Sequence, residues 1–367
     1  MHWLSTDWHS VRVFYYRPDK SDLLLHGVRP LFDRLRPQVE AVSFTRHWRQ
    51  GPHVRLNFLT DETTFTETIW PTVQRDMRAY LAEAPSTTVL DIEQELRRHV
   101  RMAELEHERG PLTPWHSDNT VVLSEFDPRT DIMGDAGRAD ALARFYSDTT
   151  DLAFDCYDAC RTRSALLSRA LDLMIAAGHI GAAGGIRQGF VSFRSHAEGF
   201  LAATDDGAAL RDRWDANFRH SSDRLRDRVT ALVDAIDRAQ FSEPFLADWA
   251  RIMTCCRAFA EETAAAGVSP VPPPPPPAPG ATRRLGEASA FHHRLFDNPT
   301  WATMQQSAEF AVYRLILNFT YLHLTQLGVT PVERVLLCHL AAEAVEAAYG
   351  ISAYEIVGQP YTEKAVG

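Results

Sequence analysis

From about Asp135 onward, the apolar side chains of this chain recur three or four positions apart through six long segments. That is the period of a helix with one buried face. The first three segments are ADALARFYSDTTDLAFDCYDA, RSALLSRALDLMIAAG and RDRWDANFRHSSDRLRDRVTALVDAIDRA. The last three are EPFLADWARIMTCCRAFAEETAAA, EFAVYRLILNFTYLHLTQLG and PVERVLLCHLAAEAVEAAYG. Each stripe must be covered, so this part of the chain is expected to be an assembly of packed helices. VSPVPPPPPPAPGATRRLGE, between the fourth and fifth segments, cannot continue a helix, because proline lacks the amide donor and clashes with the preceding turn. A proline-rich insertion at 268–281 is expected as solvated polyproline II between two packed helices.

The N-terminal part reads differently. WHSVRVFYY is strand-like, SDLLLHGVRPLFDRLR is helical, and VEAVSFTRHW with PHVRLNFL forms a hairpin around Gly51 and Pro52. A helix over 61–81, a charged helix over 90–106 and a strand in NTVVLSEFDP follow. The order strand, helix, strand, strand, helix begins a ferredoxin-like layout. The expected fold class is α+β: an α/β layer over 1–130 and a mainly helical region over 131–367, the two forming one compact unit. Within the hairpin, HVRLNF puts Val54, Leu56 and Phe58 on one face and His53, Arg55 and Asn57 on the other.

A net charge of -10 disfavours DNA and general nucleic-acid binding, which needs a basic excess against phosphates. The chain shows no signal-peptide pattern and no run of 18 apolar residues, so a cytoplasmic protein without a membrane anchor is expected. The five cysteines, Cys156, Cys160, Cys255, Cys256 and Cys338, lack zinc-site spacing, and neither a metal nor a cofactor is implied. GHIGAAGGIRQGF fits neither GxGxxG nor a P-loop and reads as a tight turn before FVSFRSHAEGF, where Ser195 and Glu198 have capping-box spacing.

Three stretches, YYRPDKSDLLLHGVRPLFDRLRP with RHWRQGPHVRLNF, then FVSFRSHAEGF, then LNFTYLHLTQLGVTPVERVLLCHLAAEAVEAAYG, resemble the thiopeptide-type biosynthesis proteins. These are stand-alone relatives of the C-terminal glutamate-elimination domain of lantibiotic dehydratases. The resemblance implies that domain's fold and one of two chemistries. Elimination domains remove glutamate from glutamylated Ser or Thr. Pyridine synthases join two dehydroalanines of an azole-bearing peptide in a formal [4+2] cycloaddition with loss of water and leader.

Elimination domains are similar in a His-x-Arg-x-Arg strand and in a late helix with a His before an Asn-Arg pair. Here His53 and Arg55 match, but Asn57 replaces the second Arg, Asn318 stands where the His falls, and Leu322-His323 replace Asn-Arg. Elimination needs a base and paired guanidiniums for the departing carboxylate, so the resemblance favours the cyclase. A glutamate-eliminating lyase and a non-catalytic peptide-recognition subunit remain as alternatives.

On the late helix Ser307, Arg314, Asn318, Tyr321 and Thr325 share one stripe, which either faces water or lines a cleft. By resemblance Ser307 and Tyr313 occupy the positions of a Ser and a Tyr important for cyclisation. Tyr313 is expected to donate a proton, with Ser307 orienting a peptide carbonyl and Asn318 and Tyr321 completing the catalytic set. The basic hairpin, with Arg46 and Arg49, and the face of His53, Arg55 and Asn57 are expected to bind the leader of the precursor peptide. His196 in RSHAEGF matches the family signature and is placed with the substrate-binding residues; the alternative is a helix cap. Other enzymes of the same pathway are further candidate partners.

Overall fold

The structure is a computed structural model that describes residues 7–106, 108–272 and 280–359. It divides into two compact units. The first runs to Ala159 and includes Thr325–Gly328; the second comprises Cys160–Leu324 and the residues from Val329 on. The division between them in the main falls at Ala159/Cys160.

In the first unit, β1 (Trp8–Phe14), β2 (Ala41–His47), β3 (His53–Leu59) and β4 (Thr120–Ser124) form an antiparallel sheet in the order β2-β3-β1-β4. That is the strand order of the ferredoxin-like layout expected from the sequence. The alternation in β3 behaves as its pattern requires. Val54, Leu56 and Phe58 share a face with Val11, Val13, Val42 and Phe44, and all are buried. Helix α3 (Ile92–Glu106) follows its predicted segment closely, whereas α1 (Arg29–Leu35) and α2 (Trp70–Glu83) fill only the later parts of theirs, each preceded by a π-helical stretch, Leu23–Val28 and Phe65–Ile69.

Helices α4 (Ala136–Asp148) and α5 (Thr150–Ala159) have helical periodicity, yet they belong to the sheet unit. Phe154 of α5 stacks on Phe44 at 5.2 Å and meets Phe32 edge-on at 6.1 Å. Ser147 of α4 donates to the Val42 carbonyl at 3.1 Å. The apolar stripes of these helices are covered by strands, and periodicity cannot name the surface that covers a stripe.

The second unit is helical. Its long helices are α6 (Arg163–Gly181), α7 (Ile186–Ala203), α8 (Gly207–Asp237) and α9 (Pro244–Ala265). Four short helices follow: α10 (Ala281–Ala288), α11 (Ala290–Phe296), α12 (Trp301–Gln306) and, last in the chain, α15 (Ala353–Val357). Between α12 and α15 lie the late helices α13 (Ala308–Gln326) and α14 (Pro331–Tyr349). A capping box of Thr330 and Glu333 starts α14 and Gly350, at φ 62°, ends it.

The glycine-rich stretch joins α6 to α7. A Cβ on Gly189 would lie 2.4 Å from the Gly178 carbonyl oxygen, so the two helix backbones meet where neither carries a side chain. Because α7 begins at Ile186, Ser195 lies inside it instead of capping it, and its hydroxyl sits 3.1 Å from His292 Nε2.

Of the proline-rich insertion, residues 273–279 lie outside the described residues. At its start Val268 and Ser269 are exposed as expected, but Pro270 and Val271 are buried. The five cysteines are unbridged. No helix among the described residues is long and apolar enough to cross a membrane.

Candidate functional site

The second face of the sheet is a buried polar layer. The strand register sets its side chains in rows: Ser10, Asn57 and Ser43; Arg12, Arg55 and Thr45; Phe14, His53 and His47. In the first row the Asn57 amide accepts from Ser10 at 2.9 Å and donates to Ser43 at 3.2 Å. The predicted peptide-binding amide is thus engaged within the sheet. In the second row Arg12 stands directly opposite Arg55. The guanidinium missing at Asn57 is present across the ladder, a residue that motif reasoning along one strand overlooked.

Arg55 is 8% exposed, and its Nε and Nη2 have no hydrogen-bond partner among the described residues. Its Nη1 lies 3.6 Å from Asp127. Burial and the charge of Arg12 push Arg55 down to about 10, which leaves it a cation at neutral pH. Arg12 donates to the Gln50 side chain at 3.0 Å. Gln50 holds a left-handed φ of 64° at the hairpin tip, followed by Gly51 at 112°.

Four guanidiniums (Arg12, Arg49, Arg55, Arg129) here influence one another against two carboxylates, Glu108 and Asp127. The surplus is positive and partly desolvated, which suits an anion. Both imidazoles of the layer are neutral at pH 7. His47 Nδ1 accepts from the backbone of Trp48 and Arg49, and burial pushes the ring down to about 3. His53, fully buried, donates from Nδ1 to the Gly51 carbonyl at 2.8 Å. Its Nε2 is then an acceptor without a hydrogen-bond partner among the described residues. Burial, then His47, holds His53 well below the usual imidazole value, so it is a weak base.

The basic hairpin is less open than its sequence suggests. Arg49 is 3.2 Å from Glu108 and donates to the Arg109 carbonyl. Arg46 donates to the Pro18 carbonyl at 2.8 Å and to the Tyr157 hydroxyl at 3.2 Å. Both guanidiniums tie parts of the first unit together, so the accessible basic edge expected there is largely used internally.

In the second unit a cavity of about 390 Å³ brings Ser307 and Tyr313 together with Gln188, Ser192, Trp301 and Phe310. Tyr313 is buried and donates to the Gly189 carbonyl at 2.5 Å. Burial pushes its phenol far above the ordinary tyrosine value, with a Ser192 hydrogen bond acting in the opposite sense. The phenol therefore keeps its proton. Ser307 is not a helical stripe residue. It lies at the extended corner between α12 and α13, donates to the Met304 carbonyl at 2.8 Å and accepts from the Phe310 amide at 3.2 Å. The hydroxyl caps α13 while bordering the cavity.

Asn318 and Tyr321 do not line this cavity. Asn318 is exposed, as is Thr325, so this part of the stripe faces water. The Tyr321 hydroxyl lies 2.7 Å from His196 Nδ1 and 3.3 Å from Cys338 Sγ, and Arg334 stacks over its ring at 4.9 Å. His196, like Ser195, is inside α7 and caps nothing. Tyr321 and His196 form a second cluster, separate in composition from the pair at the cavity.

Residues 8–345 match the family described as lantibiotic biosynthesis dehydratase C-term. Among solved structures, the chain is 31% identical to the pyridine synthase TbtD from thiomuracin biosynthesis, with a TM-score of 0.76. That match covers 94% of this chain and 100% of the other. TsrL shares the fold at 19% identity and a TM-score of 0.71, over 97% of this chain and 99% of its own. No curated protein matches the chain significantly. A family match spanning nearly the whole chain, on a ferredoxin-like sheet followed by helices, shows that the protein belongs to the lantibiotic biosynthesis dehydratase C-terminal family.

Proposed function

We propose that this protein acts in thiopeptide biosynthesis as a pyridine-forming macrocyclase on a leader-bearing peptide that already contains azoles and dehydroalanines. The observation that carries the reading is that Ser307 and Tyr313 border one cavity walled by Trp301 and Phe310. Its likeness to a pyridine synthase over nearly its full length supports the same reading. Aromatic walls suit flat azole rings, and positioning two alkenes of one peptide supplies much of the acceleration.

An amide proton moves to its own carbonyl oxygen to give the imidic azadiene, which adds to the second alkene; water and leader then leave. To assist loss of water, Tyr313 turns its single O–H from the Gly189 carbonyl to the departing hydroxyl and acts there as a hydrogen-bond donor, a role that its raised pKa leaves open. Ser307 gives its only O–H to the Met304 carbonyl, so it orients a peptide carbonyl, as its sequence position implied, only by releasing that bond; as it stands it offers one acceptor position to a peptide N–H. The cationic layer of the first unit binds an acidic group of the precursor peptide.

Replacing Tyr313 by Phe should abolish macrocycle formation while leader binding survives. Mass spectrometry of a dehydroalanine-bearing precursor incubated with purified protein reads this directly, and unchanged turnover removes Tyr313 from the mechanism. A second reading, glutamate elimination, draws support from the Arg12–Arg55 pair, which could hold a departing carboxylate. Against it, both imidazoles in that layer, His47 and His53, are weak bases. The same spectra separate the readings: cyclisation loses leader and water, elimination loses glutamate alone, and a recognition subunit changes no mass.

A further inference from the structure

His339 and Glu343, four residues apart on α14, meet Asp215 of α8, and their ligand-capable atoms all lie within 4.8 Å of one another. None of the three borders the cavity of Ser307 and Tyr313. His339 is fully buried, and neither ring nitrogen makes a hydrogen bond among the described residues. Its Nε2 is 3.0 Å from Asp215 Oδ1, a hydrogen-bonding distance, but without hydrogen-bonding geometry. Two ligands on one tetrahedral zinc(II) ion, each at about 2.0–2.1 Å, stand roughly 3.3 Å apart and point at the ion instead of at each other. The Asp215–His339 approach has that character.

The surrounding charges agree. Arg194 reaches Glu343 at 2.8 Å and Glu346 at 2.6 Å. Arg211 forms a two-point contact with Glu198 at 2.9 and 2.6 Å. Four carboxylates (Asp215, Glu198, Glu343 and Glu346) thus meet two guanidiniums, and the two surplus negative charges equal the charge of one divalent cation. Burial pushes the imidazole of His339 down, with the Glu343 charge opposing it, and a neutral imidazole is the form that ligates metal.

We propose that Asp215, His339 and Glu343 bind one divalent transition-metal ion, with zinc(II) the best match to one imidazole and two carboxylates and water completing its coordination. The ion ties α8 to α14 within the helical unit. Arg194, already held on Glu343, is the nearest competing cation and limits the affinity.

The test uses the full-length protein, stripped with a chelator, dialysed and titrated with cobalt(II) and then zinc(II). One equivalent of cobalt(II) should produce visible d–d absorption, one equivalent of zinc(II) should bleach it, and zinc(II) should raise the melting temperature. Asp215→Asn and His339→Gln should each weaken cobalt(II) binding about tenfold or more. Asp215 is 35% exposed at its side chain, so its variant should fold even where the buried His339 variant, checked by circular dichroism, does not. The proposal is overturned if the wild type binds no stoichiometric ion. It is equally overturned if the folded Asp215 variant binds as the wild type does, which would leave the ion to other groups or the imidazole to a simple ion pair with Asp215.

Discussion

Asn57 and Arg12 show how much a single position depends on its neighbours. On its own strand Asn57 reads as a lost arginine, and across the sheet Arg12 supplies one. Asn57 meanwhile joins Ser10 to Ser43 and holds the row together. Charge reversal at Arg46 or Arg49 would cut internal bonds as well as any peptide contact, so it is a poor probe of binding. Arg12→Gln and Arg55→Gln are sharper. Each should weaken binding of an acidic leader peptide by roughly 1.5–3 kcal/mol, the worth of a hydrogen bond to a charged group. Fluorescence anisotropy on a labelled leader measures this, and an unchanged dissociation constant in both variants places the peptide elsewhere. Ser307 carries a similar double duty, because its cap on α13 is itself worth about 1 kcal/mol. Any Ser307→Ala activity loss must therefore be read beside its melting temperature.

At the scale of elements, the crossing of α6 and α7 is the tightest constraint on the cavity. Gly178 and Gly189 let the backbones touch, and the Gly189 carbonyl is also the acceptor for Tyr313. Gly189→Ala drives a methyl group to 2.4 Å from a backbone oxygen that cannot swing aside as a side chain could. Separating the helices should cost about 1–3 kcal/mol, the usual range for overpacking. It should also move the acceptor that orients the phenol. The expected result is a lower urea midpoint together with reduced cyclisation; a variant with wild-type stability would mean that the helices can part freely. The tract GHIGAAGGIRQGF looked in sequence like a turn. It is a turn flanked by a packing seam, and only the partner backbone reveals the seam.

For the molecule as a whole, the buried polar layer predicts how stability responds to acid. His47 has a folded value near 3 against an ordinary 6.5. Above pH 6.5 the ring is neutral whether folded or unfolded. As pH falls from 6.5 towards 3 the unfolded chain takes up a proton that the folded chain refuses, so stability declines, by about 2 kcal/mol between pH 6.5 and 5. His53 acts in the same direction. In Glu108 burial pushes the carboxyl up, but the His47 hydrogen bond and the charges of Arg129 and Arg49 outweigh it and bring it to about 2 from 4.5. Its contribution is present above pH 4.5 and is lost as pH falls towards 2. Urea unfolding at pH 7 and pH 5 should show the first loss, and His47→Gln should flatten it; equal midpoints at both pH values in the wild type would contradict a buried neutral His47.

The helical segments, the hairpin and the two faces of HVRLNFL followed from the amino-acid sequence alone, because periodicity is local and fixes which side chains share a face. The family resemblance was likewise carried by short motifs. The tertiary structure alone decided that Arg12 stands beside Arg55, that α4 and α5 cover strands, that Tyr313 points to Gly189, and that His339 meets Asp215 124 residues away. Those facts depend on strand register and helix pairing. Such long-range matches are set by the packing of whole surfaces, and no window of neighbouring residues contains them.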